Sequence, residues 1–254
     1  MRRNFWGFVF LLILGGGAYL AIANESNFLE KQKRYERFRE AVAEKDGIIK
    51  KLLKQHQLST ENLQILFVAY KDEDILEIYA KDKNATNYKK IHSYPICAKS
   101  GQLGPKRKYG DMQVPEGFYA IDRFNAASNY YLSLGINYPN KSDKIKGGSS
   151  NLGGDIFIHG SCVTIGCLPM TNNFIKEIYL LAVYAKNNGQ NAIPVYIFPF
   201  KMRDENMRTF KEKYKGNKEL LKFWEQLKIG HDQFMKDHKS LRVEVKENGE
   251  YAFK

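Results

Sequence analysis

Two patterns of hydrophobic and polar residues divide the chain into regions. Residues 24–60 are highly charged with apolar residues at helical spacing, which predicts an N-terminal arm of one or two helices, broken near Asp46 and Gly47. Short apolar runs then predict strands at 65–70, 75–80, 88–97, 117–122, 156–158 and 194–199, with one helix near 174–187. We therefore predict a mainly β domain with α structure over residues 61–200, a β-sandwich or barrel with one central helix.

The last region, residues 201–254, returns to helical spacing. Residues 205–214 and 218–238 are predicted helices, and residues 241–245 alternate like an edge strand before a turn at Asn248-Gly249. This segment is short for an independent core. We expect a C-terminal extension of helix and strand that packs on the main domain.

The first residues have the composition of a targeting segment. A short basic region, residues 1–4, precedes apolar residues 5–23, which end in the small-x-small sequence Ala21-Ile22-Ala23. The segment is either a cleaved signal peptide or a retained membrane anchor; the glycines at 15–17 would weaken a permanent helix and favour cleavage. In both cases we expect export to the periplasm or cell envelope, with membrane contact only through this segment.

Composition and charge narrow the choice of partners. The 254 residues are 43% hydrophobic and carry a formal net charge of +12. The basic residues are spread along the chain, without a basic helix, zinc-ligand spacing or an aromatic RNA-binding motif, so nucleic acid is not an expected partner. For an exported protein, carboxylate-rich cell-wall peptides and anionic lipid head groups are the natural counterparts.

The chain contains three cysteines, so at most one disulfide can form and one thiol is left over. Cys97 lies in an apolar run and is expected to be a core residue. Cys162 has two interpretations: an ordinary loop residue, or a partner that reversibly protects Cys167.

The segment from Ile158 to Met170 carries the strongest candidate chemistry. A predicted strand ends at His159, and a glycine turn separates this histidine from Cys167. A free thiol, which is mostly protonated at neutral pH, is a poor nucleophile until a base such as imidazole accepts its proton. A predicted helix follows Cys167, so we expect its dipole to lower the pKa of this thiol. The pattern predicts a reactive cysteine, against the simpler interpretation of a small buried residue.

Three further motifs precede this segment: Gly101–Lys106, Gly110–Gly117 and Ile136–Asn140. Together with the His-Gly and Gly-Cys elements, and in this order, they resemble the L,D-transpeptidase catalytic domain with the YkuD fold. Within that family the chain is most similar to the YafK-like branch. The resemblance covers roughly residues 64–200.

Two positions depart from the usual family pattern. The second histidine, two residues before the cysteine, is replaced by Ile165, and the arginine two residues after the cysteine is replaced by Pro169. These changes leave His159 as the only candidate base.

The resemblance implies a role for each residue of the motif. Cys167 would be the nucleophile, His159 its base, and the Gly160 carbonyl the group that orients the imidazole, while backbone N–H groups around Gly166 and Cys167 would form an oxyanion hole. The substrate would be a peptidoglycan stem peptide whose acyl half forms a thioester. Transfer to an amine or to water leaves transpeptidase, carboxypeptidase and endopeptidase activities open.

Four polar residues are weaker candidates for substrate contact: Tyr138, Asn140, Ser161 and Thr164. A Tyr-Pro-Asn turn is also ordinary loop chemistry, and no Gly-x-Ser-x-Gly elbow supports a serine hydrolase. The remaining histidines have no carboxylate or cysteine at metal-ligand spacing, so we expect neither a metal nor a cofactor: His56, His92, His231 and His238.

Three functions are consistent with these features. The leading one is an exported cysteine enzyme acting on peptidoglycan stem peptides. The second is a hydrolase that releases a wall-linked lipoprotein. The third is a cell-wall-binding module that keeps the fold without activity, which the missing second histidine favours and the retained His159–Cys167 pair opposes.

Overall fold

The computed structural model describes residues 28–254. The helices of this part are α1 (Phe28–Lys33), α2 (Glu36–Gln55), α3 (Lys141–Gly147), α4 (Asn172–Asn187), α5 (Asp204–Lys213) and α6 (Lys218–Asp237). Its strands are β1 (Leu63–Tyr70), β2 (Ile75–Asp82), β3 (Lys89–Pro95), β4 (Gly117–Ser128), β5 (Tyr131–Ile136), β6 (Phe157–His159), β7 (Leu168–Pro169), β8 (Ile193–Phe198), β9 (Val243–Val245) and β10 (Tyr251–Phe253).

Strands β1 to β8 form one sheet in the order β3-β2-β1-β8-β4-β5-β6-β7. Neighbours are antiparallel except for the parallel pairs β1–β8 and β6–β7. The two outer strands also approach each other, because Cys97, just beyond β3, donates its N–H to the carbonyl of Pro169 in β7 at 3.0 Å. The sheet therefore curls until its edges meet, which gives the expected barrel-like form with α4 as its central helix.

Strand β1 is buried on both faces, because successive side chains of a strand point to opposite sides. Its residues Ile65, Phe67 and Ala69 belong to the core between the sheet and helices α2 and α4. Its residues Leu66, Val68 and Tyr70 belong to a second core formed with α5 and α6. The C-terminal segment thus covers the sheet face that the N-terminal helices leave open.

The N-terminal helices differ from the predicted arm in one respect. The break lies at Arg34-Tyr35, between α1 and α2, and α2 continues through Gly47. An exposed glycine within a helix costs about 1 kcal/mol relative to alanine. The fully buried residues of α2, such as Phe38 and Ile49, each contribute about 1.5–3 kcal/mol by burial and outweigh that cost. The predicted break near Asp46 and Gly47 is therefore wrong.

The C-terminal segment contains the predicted helices, and its strands form a hairpin of their own. Strands β9 and β10 pair with each other in a separate two-stranded sheet, so residues 243–245 are not an edge of the main sheet. Helix α6 buries Trp224, Leu227 and Phe234 against the main sheet.

The predicted signal peptide or anchor, residues 1–23, lies outside the described residues. Between Phe28 and Lys254, no helix is both long enough and apolar enough to cross a membrane.

Candidate active site

His159 is held at the end of β6 by both neighbouring strands. It pairs with Ser133 of β5 and with Pro169 of β7, and its side chain is buried. Its Nδ1 lies 2.6 Å from the Gly160 carbonyl oxygen. Because a carbonyl oxygen only accepts, Nδ1 carries the proton, and Nε2 of the neutral ring keeps a free lone pair. The imidazole is thus oriented with Nε2 as the basic nitrogen.

Cys167 follows a tight turn and directly precedes β7. The Thr164 hydroxyl oxygen accepts the N–H groups of Gly166 (3.2 Å) and Cys167 (2.8 Å), and it donates to the Cys167 carbonyl (2.9 Å). Gly166 has φ +132°, and a Cβ there would lie 3.0 Å from the Gln113 carbonyl oxygen, so the turn requires glycine. We expected the N–H groups of Gly166 and Cys167 to form an oxyanion hole, but both are hydrogen-bonded to the Thr164 hydroxyl. A substrate oxygen would have to displace this hydroxyl to reach them.

Cys167 lies one residue before β7, and we infer from the strand register that its thiol and the His159 imidazole are on the same side of the two adjacent strands. In the parallel pair β6–β7, Ile158 lies opposite Leu168, and side-chain alternation directs His159 and Cys167 to the other face. Ideal strand spacing places their Cα atoms roughly 8 Å apart. The thiol donates to the Asp155 carbonyl (Sγ···O 3.7 Å), so it must turn from that oxygen to reach the imidazole.

Cys167 is half-buried and opens into a groove of about 180 Å³. The opposite walls come from the end of β1 and from the segment between β3 and β4, including Lys71, Leu103 and Val114. The groove also has charges of both signs, with Lys99 in an ion pair with Asp74 at 2.6 Å. The thiol therefore has both charged and apolar side chains beside it in the groove.

Burial keeps the candidate pair neutral at rest. It raises the pKa of the Cys167 thiol above its ordinary 9.0, opposed by a hydrogen bond from the Phe157 backbone. It lowers the pKa of His159 below its ordinary 6.5, opposed by the hydrogen bond to Gly160. The expectation of a lowered thiol pKa is wrong, because β7 separates Cys167 from α4, which begins only at Asn172, and a helix dipole acts within about one turn.

Cys97 and Cys162 form a disulfide with a Cα–Cα distance of 5.5 Å, and Cys167 is the free thiol. The prediction that Cys97 is a core residue is wrong, because it lies half-buried where the sheet edges meet. The disulfide ties the loop before Cys167 to the end of β3. With Cys97 as its partner, Cys162 does not protect Cys167 in this state.

The weaker substrate candidates have structural contacts. The buried Tyr138 hydroxyl donates to two backbone carbonyls at 3.3 Å, and Asn140 caps α3 by accepting the N–H of Asp143 at 2.9 Å. Ser161 adopts φ 67° and donates its N–H to Asn172. These contacts favour structural roles for Tyr138 and Asn140. A substrate contact for any of the four remains a prediction.

Tyr130 and Asn172 belong to the site but have no signal in the sequence pattern. The Tyr130 ring lies 4.7 Å from the His159 imidazole, between centroids, and is half exposed. A Cβ at Gly160 would lie 2.7 Å from Asn172 Oδ1 and 2.8 Å from the Tyr130 carbonyl, so glycine is needed there. Tyr130 sits in the turn between β4 and β5, and only the tertiary fold brings it to the histidine.

An imidazole with a free Nε2 and a free thiol lie at one edge of a curled α/β sheet. This combination places the chain in the class of proteins whose candidate chemistry centres on a cysteine. Within residues 28–254, no three histidine, cysteine, aspartate or glutamate side chains are grouped to hold a metal ion.

Sequence comparison assigns the family. Residues 64–197 match the model of the YkuD family, the L,D-transpeptidase catalytic domain. The chain is 40% identical over 185 residues to YafK of Escherichia coli strain K12, a protein classed by name among the L,D-transpeptidases, covering 72% of this chain and 71% of that protein. The chain belongs to the YkuD L,D-transpeptidase family, which acts on peptidoglycan.

Two solved structures share partial similarity with the chain. The helical cell shape determining protein Pgp2 from Campylobacter jejuni is 18% identical with a TM-score of 0.43, covering 72% of this chain and 74% of that one. Bd1075 from Bdellovibrio bacteriovorus is 21% identical with a TM-score of 0.40, covering 72% and 75%.

Proposed function

We propose that this chain is an exported enzyme that cleaves or exchanges amide bonds of peptidoglycan stem peptides, with Cys167 as the nucleophile. The observation that carries the proposal is the placement of Cys167 in a groove, on the same sheet face as a histidine whose Nδ1 is bonded to the Gly160 carbonyl. A carbonyl partner of this kind fixes the tautomer in which Nε2 accepts a proton. Family membership supplies the substrate class.

The reaction begins from a neutral thiol and a neutral imidazole. Sγ of Cys167 bonds to the amide carbon while its proton passes to Nε2 of His159, which acts as a general base in the attack. The carbonyl oxygen becomes an oxyanion and takes the N–H groups of Gly166 and Cys167 from the Thr164 hydroxyl. A neutral resting pair keeps the half-buried thiol in its less reactive form until substrate arrives.

Collapse of the intermediate completes the first half-reaction. The carbon–nitrogen bond breaks, His159 returns the proton to the leaving amine, and the acyl group remains on Cys167 as a thioester. An amine acceptor or a water molecule then attacks the thioester and gives its proton to His159. The thiol departs and takes that proton, so the enzyme returns to its starting state with a transpeptidated or hydrolysed product.

The disulfide supports the proposed location. Disulfides persist in oxidising compartments such as the bacterial periplasm and are rare in the cytosol. The pair Cys97–Cys162 is therefore compatible with the periplasm or cell envelope, to which residues 1–23 would direct the chain. Membrane contact would be made through residues 5–23 where they are retained as an anchor, and would end on their cleavage.

Covalent labelling with a carbapenem tests the proposal. Attack of the thiol on the strained lactam opens the ring without loss of atoms, so one intact carbapenem mass should appear on Cys167. We expect no adduct in Cys167→Ala, labelling slower by about 10²–10⁴-fold in His159→Ala, and wild-type labelling in the control His92→Ala, whose histidine is exposed on β3. A wild-type protein that folds but takes no label at Cys167 would leave the inactive wall-binding module as the better explanation.

A second candidate, a hydrolase that releases a wall-linked lipoprotein, is favoured by the apolar rim of the site. We define this rim as the exposed side chains Met112, Val163 and Ile165, on the two segments that meet where the Gln113 carbonyl approaches Gly166. Exposed apolar side chains in one area are typical of contacts with a protein partner. Release of an attached protein from the wall by wild type, and not by a Val163→Ser/Ile165→Ser variant that still takes the carbapenem, would support this function.

A further inference from the structure

The segment between β3 and β4 lines the groove together with Cys167. It closes on itself where Gln102 donates its N–H to the side chain of Gln113 at 2.9 Å. The Gln113 carbonyl lies against Gly166, at 3.0 Å from the position that a Cβ would occupy. We call residues 101–116 the wall loop. The wall loop is therefore in direct contact with the turn that carries Cys167.

A buried ion pair fixes the wall loop from beneath. Lys71 uses all three protons of its ammonium group, donating at 2.9 Å to the carbonyls of Gly104 and Val114 and to Glu116. Glu116 is fully buried, and the same carboxylate oxygen also accepts the N–H of Gly104 at 2.6 Å. The desolvation of such a pair offsets most of its Coulomb energy, so its net contribution to stability is small, whereas its geometry is strict.

The second oxygen of Glu116 is held by the C-terminal segment. It accepts the indole N–H of Trp224 in α6 at 2.9 Å, and Trp224 is fully buried. The same helix contacts the loop again through Leu220, whose Cδ1 lies 3.6 Å from the position of a Cβ on Gly104. Helix α6 is therefore joined to the groove by a continuous path from Trp224 through Glu116 to the wall loop and Gly166.

We propose that Trp224 is a positioning residue: through Glu116 it sets the wall loop, and thereby the placement of the Cys167 turn. The C-terminal extension is then a working part of the groove and not only a cover for the sheet. Loss of the indole N–H leaves a buried carboxylate oxygen without its donor, and the loop relaxes to recover a partner. The kinetic part of this inference rests on the proposed function.

The test compares Trp224→Phe with Phe234→Leu in the full-length protein. Phe234 is an equally buried aromatic residue of α6 that packs on Tyr79 and Tyr196, away from Glu116. Turnover of isolated stem peptides gives kcat and KM, alkylation of Cys167 by iodoacetamide reports the placement of the thiol without substrate, and thermal melting reports stability.

For Trp224→Phe we expect kcat/KM to fall about tenfold or more, since a displacement of about 1 Å can cost a hundredfold in rate. We expect alkylation of Cys167 to become faster, because a loosened wall loop uncovers the thiol. Phe234→Leu should lower the melting temperature about as much as Trp224→Phe does, but keep the wild-type kcat/KM and the wild-type alkylation rate. If Trp224→Phe does not fold, Leu220→Ala replaces it, with the same directions expected.

Equal kinetic and alkylation behaviour of Trp224→Phe and Phe234→Leu would overturn the inference, because both residues would then serve only packing. A wild-type protein without turnover would count against the proposed function alone. The alkylation rates would still decide whether α6 positions the thiol.

Discussion

The disulfide Cys97–Cys162 joins the two edges of the curled sheet, and its removal should destabilise the protein strongly. The bond spans 65 residues of sequence. In the chain-entropy model, a loop of that length restricts the unfolded chain by about 4 kcal/mol at 25 °C. For a protein of this size, about 4 kcal/mol corresponds to a fall in melting temperature of roughly 8–16 °C.

Urea unfolding measures this effect. We compare the oxidised wild type, the wild type with its disulfide reduced, and the double variant Cys97→Ala/Cys162→Ser. The unfolding midpoint should fall in both altered forms, and the slope with urea should rise because the released unfolded chain exposes more surface. Cys167→Ala is the matched control, since it removes a cysteine that closes no loop, and its midpoint should stay close to that of wild type.

The predicted stabilisation by the disulfide is wrong if the reduced wild type, with all three thiols titrated, unfolds at the same urea concentration as the oxidised form. The edges of the sheet would then be held by the remaining contacts, such as the hydrogen bond from Cys97 to the Pro169 carbonyl.

Three further predictions concern the candidate site. Burial lowers the pKa of His159 below 6.5 and raises that of Cys167 above 9.0. In a pH–rate profile, kcat/KM should therefore fall only below pH 6.5 on the acid side and only above pH 9.0 on the alkaline side. An acid limb above pH 6.5 would contradict this assignment. Gly166→Ala should lower kcat/KM about tenfold or more. Gly189→Ala carries the same kind of left-handed backbone strain, about 1–2 kcal/mol, but has open space around it, so it should keep wild-type kinetics. Equal kinetics for the two variants would count against a close-packed turn at Gly166. Thr164→Val removes the hydroxyl that fixes the turn and should lower kcat/KM, whereas Thr164→Ser keeps the hydroxyl and should keep the activity. Steady-state kinetics on stem peptides compare the two variants. A fully active Thr164→Val would show that the turn holds without the hydroxyl.

The elements with strong local patterns could be predicted from the sequence. The β1–β2 hairpin follows from two apolar runs around a charged turn, and α4 follows from its apolar stripe. Strand β5 was missed, although Leu132, Leu134 and Ile136 alternate, because Gly135 interrupts the run and glycine is depleted in strands. That glycine leaves room for Arg123, whose Nε lies 2.8 Å from the position of a Cβ.

The contacts that the sequence pattern did not predict are long-range ones. Cys97 meets Cys162 only because the sheet curls, and Glu116 meets Trp224 only because α6 returns to the sheet, 108 residues later. The direction of the Cys167 pKa shift was also missed, because burial depends on the packing of the whole groove. By contrast, the hydrogen bond of His159 to the adjacent Gly160 carbonyl is local, and the family resemblance was sufficient to anticipate it.

If Cys167 performs amide chemistry on peptidoglycan, as we propose, the action of the protein on intact peptidoglycan should depend on this thiol. Intact peptidoglycan sacculi are incubated with the purified full-length protein, wild type beside Cys167→Ala, and the products are identified by mass spectrometry. We expect changes that only the wild type produces: new cross-links or exchanged terminal residues for a transpeptidase, and shortened stems or released protein for a hydrolase. Identical products from the two proteins, with wild type folded and its thiol reduced, would exclude Cys167 as the residue that performs this chemistry.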